Sequence, residues 1–169
     1  MEAVPLRSAR PLSVLLGRER QILERMCWQL RVAQVLVESD RVGWVGPCLR
    51  ETDLLADRLG ALEFSRALEV AGHPEALDPA DEQVEPTLDE LVARWPVPGR
   101  PVLRRHAVGL RRLVQEVRAR SKAVTDGLSQ APPGEPPFDA LVRHGGLVVA
   151  RRVPPPSLVE FVLGDPVRH

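Results

Sequence analysis

LSVLLGRERQILERMCWQLRVAQVLVE, residues 12–38, carries an unbroken helical pattern. It contains no proline, and Leu16, Leu23, Leu30 and Val37 fall seven apart, with Met26 and Ala33 filling positions three residues on. That spacing is the seam of a coiled coil or helix bundle. The spacing predicts a helix over 12–38 with Ser13 as its N-cap. At 1.5 Å per residue it is about 40 Å long.

The same helix carries a second apolar stripe. At 100° per residue, Leu16, Leu23, Met26, Leu30 and Val37 share one face, while Trp28, Val32 and Val35, with Val14, cluster on another side. One partner requires one stripe, so two stripes imply two neighbours. Either two other helices of the chain take one stripe each, or one stripe is left for a foreign amphipathic helix.

Outward from this helix, the run 39–47 holds Gly43, Gly46 and Pro47 and predicts a turn. A second helix is expected over 48–71, with Leu55, Leu59 and Leu62 on one strip, Leu54, Ala61 and Leu68 beside it, and Gly72 as the stop. The short link makes the first two helices antiparallel neighbours. Pro74, Pro79 and Pro86 mark an acidic loop over 73–86. Thr87-Leu88-Asp89-Glu90 fits a capping box that opens a short helix over 87–95. A third long helix follows over 101–128, with Pro101 in its first turn. Its residues Leu103, Ala107, Leu110, Val114, Val117, Ser121, Val124 and Leu128 alternate four and three apart.

The two ends differ from this pattern. Residues 1–11, punctuated by Pro5 and Pro11, read as a disordered lead. Residues 131–169 hold eight of the 17 prolines, among them Pro154-Pro155-Pro156, and read as a mobile tail or as a segment that orders on a partner. Within that tail, Leu147-Val148-Val149 and Leu158–Leu163 are apolar enough to dock. The expected architecture is all-α: long antiparallel helices in a coiled-coil-like three-helix bundle over 12–130, followed by a Pro-rich tail. Composition agrees, since aromatics are 4%, Tyr is absent and Thr occurs only at Thr52, Thr87 and Thr125, which disfavours strands.

Chemistry leaves little trace. The four histidines, His73, His106, His144 and His169, show no ligand spacing, and no nucleophile motif or phosphate loop is present. No catalytic residue, cofactor site or metal site is expected. Cys27 and Cys48 lie in apolar surroundings and read as buried thiols rather than a disulfide framework. No run approaches a membrane span and no secretory signal is evident, so the cytoplasm is the expected compartment.

Charge is unevenly placed. The 23 basic and 23 acidic residues cancel, which argues against a globally basic nucleic-acid binder. The segment 73–96 nevertheless carries −6, and 97–130 carries +6. Arg104, Arg111 and Arg118, with Arg105 and Arg112, form a basic stripe on the third long helix. It reads as a solvated face, or as one that meets the acidic segment of the same chain, in preference to an RNA site. No aromatic residue interleaves it to stack bases.

Leu16-Gly17-Arg18-Glu19-Arg20-Gln21-Ile22-Leu23-Glu24, then Gln29-Leu30 and Gln34-Val35-Leu36, resemble the first helix of FlgN-like flagellar export chaperones of the actinobacterial type. Asp40-Arg41-Val42-Gly43-Trp44 continues the likeness, since such sequences carry Arg-x-x-Trp at this junction, and Arg50-Glu51 falls where the family opens its second helix. The resemblance covers roughly residues 12–130. It implies a cytosolic, non-catalytic helical protein. Such a protein binds the amphipathic terminal helix of hook-associated proteins, prevents their premature assembly and helps deliver them to the export apparatus.

For that role the expected partner-binding residues are Trp28, Val32 and Val35 on the first helix. Leu110, Val114, Val117 and Val124 on the third long helix come second, with an ordinary core role equally open to them. The chain is expected as a monomer or homodimer. The alternatives are a coiled-coil structural adaptor unrelated to flagella, dimeric through the seam of the third long helix, and a nucleic-acid binder using the arginine stripe.

Overall fold

The apolar seam of residues 12–38 is wound into a helix, α1, that spans Arg10–Glu38 and buries Leu12, Leu16, Leu23, Met26, Leu30 and Ala33. In this computed structural model the described residues are 9–73, 86–130 and 153–164. Residues 74–85 of the expected loop 73–86, the docking run Leu147-Val148-Val149 and most of the N-terminal lead lie outside them.

Helix α1 begins earlier than expected. Pro11 occupies its first turn, where no N–H is needed, and the N-cap is Ala9 rather than Ser13. Ser13 is inside the helix, its Oγ 2.9 Å from Nε2 of His106. The exit is a Schellman-type reversal: Arg41 N–H donates to Leu36 O at 2.8 Å and Asp40 N–H to Val37 O at 3.1 Å. Asp40 supplies the left-handed residue, with φ 57°, a conformation that Asp tolerates better than most side chains.

The reversal is therefore made by Asp40, not by the glycines and proline that follow. Gly43 falls in a short 3-10 turn, Val42–Trp44. Gly46 and Pro47 belong to the first turn of α2, which spans Val45–Ala71 rather than starting near Cys48. Pro47 lacks an N–H where the helix has no acceptor for one. Gly72 caps the far end.

Thr87 caps α3, Leu88–Arg94, with both halves of the capping box formed. Thr87 N–H donates to Glu90 Oε2 at 2.8 Å, and Glu90 N–H to Thr87 Oγ1 at 3.4 Å. Trp95, at the end of α3, is buried and stacks on His73 with ring centroids 4.4 Å apart. Gly99 permits the close approach of the next turn, because a Cβ there would lie 2.6 Å from Trp95 Cδ1 and 2.8 Å from Ala9 Cβ. Helix α4 then runs Arg100–Gln130 and buries all eight positions of its four-and-three seam, together with Leu113.

The protein is all-α, with no strand among the described residues. Helix α1 is the central element: it packs extensively against both α2 and α4, which scarcely meet each other directly. Cross-contacts fix the directions. Arg25 pairs with Glu51 and Glu19 with Arg66, so α2 is antiparallel to α1. Ser13 meets His106, and Val37 lies against Gly127, so α4 runs parallel to α1.

A fifth helix, α5, spans Pro156–Leu163, so the run Leu158–Leu163, apolar enough to dock, is seated on the bundle as a helix. Pro156 sits in its first turn, where it is compatible with a helix. Leu158, Val159, Phe161 and Val162 are buried with residues of α1 to α4 in the main core. Gly164, at φ +70°, ends the helix in the left-handed conformation that glycine adopts freely. A smaller core, with Ala33, Val45, Leu49, Val124 and Leu128, closes the other end of the bundle.

Candidate partner-binding surface

Because α1 lies between α2 and α4, its core face is saturated and its outer face is open. The second stripe falls on that outer face. Trp28 is 63% exposed and Val35 53%, while Val32 is half-buried and Val14 exposed. A tryptophan offers a large apolar area with a polar N–H at its edge, and it is costly to leave in water. At about 25 cal/mol per Å² of apolar surface, covering this stripe yields several kcal/mol before the costs of association.

The surface beside the stripe is concave. A cleft of about 500 Å³ runs between α1 and α2, with Ile22, Leu55 and Leu62 on its floor and Arg18, Arg25 and Arg58 around it. A second concavity of about 540 Å³ adjoins it along α1, sharing Gln21 and Arg25 and reaching Trp28 and Gln29. Arg25 Nη2 is held 2.9 Å from Glu51 Oε1, and Arg20 Nε donates to Glu24 Oε1 at 2.9 Å. On α2 the strip beyond the cleft leaves Leu54 and Leu68 exposed.

The structure places the two sets of expected partner-binding residues differently. Trp28, Val32 and Val35 line the outer face together. Leu110, Val114, Val117 and Val124 are wholly buried in the intrachain cores, so they present no surface to a partner. The reason is the parallel packing of α4 on α1, which turns the whole seam inward. The seam of the expected homodimer is this same buried one.

Sequence reasoning missed Arg18, Arg58, Ile22 and Leu62. One signal was available: Arg18 and Arg25, like Gln21, Trp28 and Val35, recur at seven-residue spacing beside the apolar stripe. That Arg58 and Leu62 of α2 join them depends on helix pairing, which one helix's periodicity does not specify.

Other chemistry-bearing side chains have structural partners. His73 Nδ1 lies 2.9 Å from Glu69 O, and its ring rests on Trp95. His106 meets Ser13, and its pKa is lowered by burial first and by Arg20 and Arg105 second. Cys27 is buried; desolvation, then Glu116, pushes its thiol up to about 11. Burial also raises the Cys48 thiol. Arg111 of the basic stripe pairs with Asp89 of α3, joining the positive helix to the acidic segment. Among the described residues no group of three or more His, Cys, Asp or Glu is placed to hold a metal ion, and no helix is long and apolar enough to cross a membrane.

No protein-family model, curated protein or solved structure matches this chain.

Proposed function

We propose that this protein is a helix-docking chaperone of the kind its resemblance to FlgN-like proteins implies. In this reading it works in the cytosol. It covers the amphipathic terminal helix of hook-associated flagellar proteins, keeps them from assembling early and hands them to the export apparatus. One observation supports the docking step: the apolar stripe Trp28–Val32–Val35 stays open on the outer face of a helix whose core face is fully used.

The proposed mechanism is burial. A client's apolar stripe, which would otherwise drive self-association, packs on the outer face of α1. The gain scales with the apolar area removed from water. Because the stripe is built on a rigid central helix, little ordering is needed on the chaperone's side.

Light scattering of a hook-associated protein with and without the full chain tests this reading. A discrete complex and loss of the client's self-association are expected. A stable homodimer that leaves the client's association unchanged would replace the reading with that of a structural adaptor.

A further inference from the structure

The cleft between α1 and α2 combines an apolar floor with a rim of arginines. Ile22, Leu55 and Leu62 form the floor, and Arg18, Arg25 and Arg58 stand around it. Arg25 is paired with Glu51. Arg18 and Arg58 are exposed and have no carboxylate partner among the described residues. Glu24, in the adjoining concavity, is already bonded to Arg20. Along α1 the two concavities extend from Arg18 to Gln29, about 16 Å or three helical turns.

We propose that this cleft receives an acidic amphipathic helix, one whose apolar stripe is flanked by Glu or Asp. The inference rests on the helix-docking reading above and adds the charge of the partner. Apolar residues of the incoming helix would cover Trp28 and the Ile22–Leu62 floor, while its carboxylates would meet Arg18 and Arg58 at the rim. Rim charges of this kind set partner choice and the rate of encounter more than total affinity. A second copy of this chain is a poor occupant, because an isologous contact would set Arg18 and Arg58 against their own copies.

The test uses the full chain and two labelled peptides of about 20 residues, long enough to carry a helix once docked. Both have one leucine stripe at i, i+3, i+4 and i+7; one is flanked by Glu, the other by Lys. Fluorescence anisotropy is expected to show the Glu peptide binding about tenfold more tightly than the Lys peptide. Arg18→Glu with Arg58→Glu is expected to invert that order. Both sites are exposed, so far-UV circular dichroism should be unchanged.

Equal binding of the two peptides, unmoved by the charge reversals, would overturn the acidic-partner inference and leave helix docking standing. Binding of neither peptide also overturns it, and the docking reading is then judged separately by the hook-associated client. A concentration-dependent dimer lost on Trp28→Ala would assign the cleft to self-association and overturn the inference as well.

Discussion

Arg66 of α2 reaches Glu19 of α1 with Nη1 2.5 Å from Oε1, and both side chains are wholly excluded from water. The guanidinium is covered from the third side by α5, whose Phe161 ring centroid lies 3.9 Å from Arg66 Cζ. This cluster ties together the central helix, the antiparallel helix and the C-terminal helix.

Breaking the pair is expected to be expensive because it strands a buried charge. Glu19→Ala should cost about 3–5 kcal/mol of stability. Glu19→Leu combined with Arg66→Met should recover most of that loss, since apolar replacements remove both desolvation penalties and Met packs well on an aromatic ring. Urea unfolding checks both. A double variant as unstable as Glu19→Ala would show that the pair contributes net attraction.

Helix α5 is held by apolar burial, by the Arg66–Phe161 contact and by Ser157 Oγ, which donates to Glu63 Oε2 at 2.8 Å. Phe161→Ala should therefore destabilise the protein by about 3 kcal/mol. Hydrogen exchange should accelerate in α5 first. An unchanged unfolding midpoint would mean that α5 adds nothing to the core.

His106 makes stability depend on pH. Its folded pKa lies below the ordinary 6.5, so below that pH the unfolded chain takes up the proton more readily than the folded one. The stabilisation is complete above about pH 6.5 and is lost as pH falls from there through the folded pKa. His106→Gln should flatten this part of the curve of unfolding free energy against pH. An unaltered slope would show that burial beside Arg20 and Arg105 leaves the imidazole unperturbed.

Cys27 should behave as an inert thiol. With its pKa pushed up to about 11, the thiolate is only about one part in a thousand at pH 8. Iodoacetamide should label Cys48, which is partly exposed, before Cys27, and should reach Cys27 only on unfolding. Equal labelling rates in the native protein would contradict this.

Much of the architecture was legible because it rests on local pattern. The seven-residue recurrence of Leu16, Leu23 and Leu30 exposes the α1 seam, and Thr87 with Glu90 spells out a cap whose bonds span three residues. What escaped depends on position within a turn or on distant partners. Pro11, Pro47 and Pro156 look like breaks, yet each falls in the first turn of a helix, where proline is compatible. Ser13 reads as a cap but is used as a partner for His106, 93 residues away. The stripe Trp28–Val32–Val35 was visible in the sequence. That it stays open, while Leu110, Val114, Val117 and Val124 close, follows from how α2 and α4 divide α1 between them.

In the proposed function the outer face of α1 carries partner binding. Calorimetric titration of a hook-associated protein's terminal helix into the full chain, and into a Trp28→Ala, Val35→Ser variant, measures that role. Both side chains are largely exposed, so helical content and the unfolding midpoint should not move. The dissociation constant is expected to rise at least about tenfold in the variant. Equal affinity of the two proteins would contradict it.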